Sequence, residues 1–170
     1  NVAIYGGFAG TETSKEERVA GNNTILDGEG KHSVFYNNYS SSNPLTNSAK
    51  LDNVTIQKGY ASDGNDNSTS TADYGAGMYN NYASPEITNC TFSNNSASSY
   101  GGGMYNENYS SPVLTNCTFS GNSAKYSGDG MYNYSSSSPE LTNCILWGNT
   151  ASSSGNEIYN YDSSCKPTID

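Results

Sequence analysis

Three unrelated phrases recur along this chain at one common spacing, and that shared spacing limits the folds open to it. Met-Tyr-Asn occurs at 78–80, 104–106 and 131–133 and returns as Ile158-Tyr159-Asn160. Ser-Pro-x-(Ile/Leu)-Thr-Asn-Cys places cysteines at 90, 117 and 144, and Asn-(Ser/Thr)-Ala begins at 95, 122 and 149. All three phrases step by 26 or 27 residues, whereas a low-complexity run arising by chance would drift in register. Looser echoes lie upstream, in "VFYNNYSSS" at 34–42 and "LDNVTI" at 51–56. The spacing predicts one repeat domain over 1–170, with divergent opening coils in 1–58 and regular repeats in 76–170. The polar stretch at 59–75 between them reads as a loop inserted into one repeat.

Composition decides what the repeat is made of. The chain is 33% hydrophobic and 14% charged, with 18 Gly and 15 Tyr, which leaves too little Leu, Ile and Val for an ordinary globular core. Aromatic, β-branched, Asn, Ser and Gly residues favour strands and turns. Apolar letters come in short bursts, as at Met104-Tyr105, Val113-Leu114 and Cys117 with Phe119, predicting three short strands per coil of about 27 residues. One such coil buries nothing alone. Stacked on its copies at ~4.8 Å per rung, it pairs its backbone with the next coil and encloses a narrow core.

Strand alternation then sorts inside from outside. Leu114, Met78, Met104, Met131, Ile158, Phe92 and Phe119 are expected inside. Asn53, Asn89, Asn116 and Asn143 form an expected inward amide ladder at a corner, and Asn95, Asn122 and Asn149 a second. Tyr79, Tyr105, Tyr132 and Tyr159 are expected on the outer face as an aromatic stripe.

The repeat "GGGMYN…SPxLTNCTFSGNSA" resembles those of the polymorphic outer-membrane protein type, found in secreted and surface proteins of bacteria and archaea. "IYGGFAGTETSKEER…NNTILDGEG" at 4–30 is similar to that group's opening coils, and "ILWGNTASSSGNEIYN" at 145–160 to its later ones. The resemblance implies an all-β, right-handed parallel β-helix. Its members include adhesins and surface-layer components, so fold alone does not specify function.

The chain lacks an initiator Met, a signal peptide and any run of 18 apolar residues, and so reads as a mature or excised extracellular piece that does not insert into a membrane. Among nine Asn-x-(Ser/Thr) sequons, Asn38, Asn108 and Asn133 sit in Asn-Tyr-Ser turns and are the expected glycosylation acceptors, whereas Asn53, Asn89 and Asn116 are expected to be blocked within the ladder. Cys90, Cys117 and Cys144 share one slot in successive coils. A pair within that column is close enough for a disulfide, but the plainer expectation is a ladder of buried free thiols. Cys165 lies out of that register and is expected to be exposed, suited to an intermolecular bond.

Catalysis finds little support. The only histidine is His32, and after residue 59 the basic residues are Lys125 and Lys166. Glu86 and Glu140 share a slot while Glu107 and Asp129 stand singly, all explicable as solvated surface groups; no carboxylate pair is forced to converge, as glycoside chemistry needs. "DGNDN" offers Asp63, Asn65 and Asp66 as oxygen ligands for Ca²⁺ but lacks the rest of a calcium loop, so no cofactor is expected. A formal charge of −9 disfavours nucleic acid. Binding or building remain. The aromatic stripe suits glycans or sideways packing, and the paired columns Thr88, Thr115, Thr142 and Thr91, Thr118 raise ice binding as a further alternative. The strand-like start "NVAIYGGF" and the ending "SCKPTID" read as uncapped, which favours self-stacking into a filament, sheath or surface layer. A structural component that stacks on itself is therefore the expected function, with a surface adhesin or carbohydrate-binding module as the alternative.

Overall fold

One repeat shows how the chain builds. In the computed structural model, which describes residues 2–9, 11, 14–18, 21–64 and 70–170, Met104–Glu107, Val113–Thr115, Thr118–Ser120 and Ser123–Ala124 are strands. Each pairs in parallel with its counterparts in the neighbouring repeats. Met104 lies between Met78 and Met131, Leu114 between Ile87 and Leu141, Phe119 between Phe92 and Leu146, and Ala124 between Ala97 and Ala151. Four parallel sheets result, of five, six, five and four strands in that order. Parallel neighbours need a long crossover, and here the rest of the coil supplies it. The architecture is the expected right-handed parallel β-helix.

The coil carries one strand more than the three expected. The fourth, Ser96–Ala97, Ser123–Ala124 or Thr150–Ala151, is two residues long, too short to show an alternation that sequence reading can detect. It also reaches into the expected insertion. Tyr60 and Ala61 pair with Ser96 and Ala97, so 59–61 continue a coil. At the other end a 3₁₀ turn, Thr71–Asp73, begins on Ser70, whose hydroxyl accepts the Ala72 N–H at 3.2 Å. Asp73 is buried and ties the two feet of the excursion, accepting from the Asp63 N–H at 2.9 Å and from the Ser98 hydroxyl at 2.8 Å.

Corner chemistry overturns one expectation. Asn53, Asn89, Asn116 and Asn143 do form a column, but Asn89, Asn116 and Asn143 face solvent. Their φ angles lie between 51° and 59°, a left-handed conformation that asparagine tolerates better than other side chains carrying a Cβ. This one residue bends the chain between sheets: Leu114 points in, Thr115 out, Asn116 stays outside, and Cys117 resumes the interior. Only a partial outer ladder joins the column, Asn116 Nδ2 donating to Asn89 Oδ1 at 3.2 Å and Asn89 Nδ2 to Asp52 at 3.0 Å.

The lumen is filled as alternation predicts. Met78, Met104 and Met131 come from one wall, Leu51, Ile87, Leu114 and Leu141 from the next, and Ile56, Phe92 and Phe119 from the third, all of them buried. Phe92 and Phe119 stack with centroids 4.4 Å apart and planes 2° from parallel. Ala61, Ala97 and Ala124 line the two-residue wall and cluster there with Ala76.

Candidate functional site

The tyrosine stripe is a wall, and it is roofed. Tyr79, Tyr105, Tyr132 and Tyr159 occupy one slot on the outer side of the Met-Tyr-Asn sheet, with centroids 5.8, 5.1 and 5.2 Å apart in turn. Yet Tyr79, Tyr105 and Tyr132 are 1%, 4% and 4% exposed, contrary to the surface stripe expected, and only Tyr159 is half-buried. The cover comes from the segment preceding each strand. Tyr74 stacks on Tyr105 at 4.7 Å and Tyr100 lies over Tyr132 at 4.8 Å. A left-handed glycine makes this approach: Gly101 has φ 68°, and a Cβ there would meet the Tyr105 Cβ at 2.7 Å. Burial raises the tyrosine hydroxyl pKa values of all three well above the usual range. The Tyr79 hydroxyl donates to Glu107, whose own carboxyl is shifted up by burial despite that bond.

Two buried amide ladders stiffen the coil. Asn95, Asn122 and Asn149 are inside, as expected, with Asn95 Nδ2 donating to Asn122 Oδ1 and Asn122 Nδ2 to Asn149 Oδ1, each at 2.9 Å. The second was not singled out from sequence. Asn37, Asn80, Asn106, Asn133 and Asn160 are joined Nδ2 to Oδ1 at 2.9, 2.9, 3.0 and 2.9 Å, and Asn80, Asn106 and Asn133 are fully buried. The third letter of Met-Tyr-Asn was the available signal, since it lies two residues beyond an inward methionine. One glycosylation expectation falls with it: Asn133 is enclosed, whereas Asn38 is exposed and Asn108 half-exposed. Asn89 and Asn116, expected to be blocked, are open instead.

All four cysteines are free thiols. Cys90 and Cys117 are buried and Cys144 half-buried in the expected column. A hydrogen bond from Cys117 holds the Cys90 thiol below its usual range. Cys117 accepts from Cys144 in turn, but donating to Cys90, together with burial, pushes its thiol up to about 12. Cys165, expected to be exposed, is 6% exposed; its N–H donates to the carbonyl of Asp162 in a tight turn that folds the side chain inward.

The acids are less uniformly solvated than sequence suggested. Glu86 pairs with Lys50 across adjacent strands, but Asp129 is fully buried. It stands one repeat after Gly102, where a Cβ would lie 2.3 Å from the Ser123 carbonyl oxygen. One carboxylate oxygen takes the Ala124 N–H and the other, Oδ2, has no hydrogen-bond partner among the described residues. Burial pushes this carboxyl up to about 6, and Glu157 adds to the shift. Of the expected Ca²⁺ ligands, Asp63 is described and Asn65 and Asp66 lie outside the described residues. Among the described residues no group of three or more His, Cys, Asp or Glu side chains converges.

A different pair of tyrosines borders solvent, one half-buried and one exposed. Tyr82 and Tyr109 share a slot one repeat on, at the corner after the Met-Tyr-Asn strands, and Tyr109 is 68% exposed. Both have left-handed backbone, with φ 48° and 61°. They border a groove of about 520 Å³ together with Thr46, Asn47, Ser84 and Ser111.

Searches among curated proteins and among solved structures each returned no match. A family model described as a right-handed β-helix region matches residues 18–170, in keeping with the four parallel sheets and the buried asparagine ladders. The chain belongs to the right-handed β-helix family.

Proposed function

We propose that this chain is a non-catalytic structural component of an extracellular assembly at the cell surface, a filament, sheath or surface layer of β-helix subunits, within the polymorphic outer-membrane protein type. The observation that supports it most is the unbroken register of its columns. From Phe35–Asn38 to Ile158–Asn160, five strands repeat the same pairing with an asparagine at the same place, buried in the three middle strands. Interior chemistry of this kind makes a stiff rod whose coils recognise one another by backbone and side-chain amides, and a second copy offers the same elements. Outward-facing apolar groups favour the same reading: Ile145 and Trp147, on the outer side of the Thr-Phe-Ser sheet, are 61% and 75% exposed, the type of group that subunit contacts cover.

Electron microscopy of the purified chain in native buffer, with light scattering over a concentration series, tests this. Long thin fibres and scattering that rises with concentration are expected. A monodisperse monomer at high concentration with no fibres would overturn it.

A further inference from the structure

We infer that the corner groove bordered by Tyr82 and Tyr109 is a binding site for an uncharged oligosaccharide chain lying along the solenoid axis. The first support is conformational. Tyr82 and Tyr109 adopt left-handed φ in successive coils, and the same slot one coil on is Ser136 with φ 63°. The coil therefore imposes this conformation on whatever residue stands there. Gly or Asn meets it at least cost, whereas a bulky side chain is strained by it. Such strain gathers where a side chain has to be presented. Both tyrosines are pinned: the Tyr109 N–H donates to the Ser135 carbonyl at 3.1 Å, and the Tyr82 carbonyl accepts the Leu45 N–H at 3.0 Å. The backbone that carries both rings is thus set in advance of any ligand, which lowers the ordering cost of binding.

The second support is the hydroxyl column beside the rings. Ser84 Oγ accepts the Ser111 N–H at 2.9 Å and Ser111 Oγ accepts the Ser138 N–H at 3.0 Å. Each oxygen is fixed by the next coil, and both serines line the groove. Thr46 and Asn47 bring further hydroxyl and amide groups to the opposite side. Flat aromatic faces alternating with fixed donors and acceptors are what the apolar faces and equatorial hydroxyls of pyranose rings require. Tyr82 and Tyr109 stand one coil apart, at ~4.8 Å, with Ser84 and Ser111 beside them at the same spacing, so two successive sugars meet equivalent groups.

Charge selects the class. No charged side chain lines the groove, and the chain carries a formal −9, so a polyanion is repelled and a basic peptide finds no carboxylate to pair with there.

Isothermal titration calorimetry with cellohexaose, chitohexaose and hexagalacturonate tests the inference. At least one of the two neutral hexasaccharides should bind with a sub-millimolar dissociation constant, and hexagalacturonate should not bind. Tyr109→Gly removes the ring and relieves the backbone, so binding should weaken about tenfold or more while the melting temperature holds or rises. Tyr161→Ser, at an exposed tyrosine away from the groove, should leave binding unchanged. The inference fails if neither neutral sugar binds at millimolar concentration, if hexagalacturonate binds as well as they do, or if Tyr109→Gly and Tyr161→Ser have equal effects.

Discussion

Asn149 Oδ1 accepts two hydrogen bonds from one residue, Asn122, whose backbone N–H reaches it at 3.0 Å and whose side-chain Nδ2 reaches it at 2.9 Å. Asn95 treats Asn122 in the same way, at 3.1 and 2.9 Å. Each rung therefore satisfies the main chain and the side chain of its neighbour together.

Asn122→Leu takes the acceptor from the Asn95 N–H and one of the two from Asn95 Nδ2, which keeps the Ile56 carbonyl at 3.1 Å, in a fully buried setting. Each buried unsatisfied donor costs about 1–3 kcal/mol, so a loss of roughly 2–4 kcal/mol is expected in urea denaturation. Asn116→Leu disturbs an exposed left-handed corner and should cost only about 1–2 kcal/mol of backbone strain, with Asn116→Gly close to the parent. Equal losses at Asn122 and Asn116 would contradict the assignment of one ladder to the interior and the other to solvent.

Asp129 gives the fold a pH dependence of definite sign. Its folded pKa of about 6 lies above the unfolded value of about 3.9, so folding favours the protonated form. The stability carried by the neutral carboxyl is complete below about pH 4 and is lost as pH rises through about 6. At neutral pH the charged form costs roughly 2–3 kcal/mol. Asp129→Asn keeps the acceptor for the Ala124 N–H, so thermal melts from pH 4 to 8 should show the variant gaining on the parent as pH rises.

Tyr105→Ser empties a buried place between Tyr79, Tyr132 and Tyr74. The expected loss is about 3–5 kcal/mol, as for other large aromatic deletions, against less than about 0.5 kcal/mol for Tyr161→Ser at the surface. Absorbance titration should show the hydroxyls of Tyr79, Tyr105 and Tyr132 ionising only when alkali unfolds the chain.

Ellman's reagent at pH 8 should find the thiols slow to react in the folded protein, because Cys90, Cys117 and Cys165 are buried and the Cys144 thiol is shifted up by its bond to Cys117 and by burial. All four should react at once in denaturant. Non-reducing electrophoresis should show no covalent dimer through Cys165; a dimer band abolished by Cys165→Ser would show that the C-terminal turn opens.

Period and alternation carried the reading of the lumen: Met104, Leu114 and Phe119 face inward because a strand has only two sides. Tyr105 also lies on the predicted side. What alternation cannot report is a second layer, and Tyr74 and Tyr100 supply one from segments that carry no strand pattern of their own. For Asn116 the sequence predicts the correct corner and the wrong direction, because a left-handed residue interrupts the period of two. Asp129 was unreadable for a related reason, since its burial comes from a slot that Ala76 and Gly102 fill elsewhere. The groove tyrosines could have been found, for Tyr82 and Tyr109 keep the repeat spacing. Sequence spacing does not reveal a positive φ, however, and nothing else in the sequence separates these two from the many tyrosines of a polar chain.

The aromatic roof overlaps in one direction only. Tyr74 rests on Tyr105 and Tyr100 on Tyr132, so two successive coils each lay a cover on the coil that follows, in the manner of shingles. A pull applied at the C-terminal coil draws the support from under the previous coil's tyrosine as it peels, whereas a pull at the N-terminal coil lifts a cover and leaves the wall beneath it still stacked. The rod thus has a grain, and its mechanical resistance differs with the end that is held.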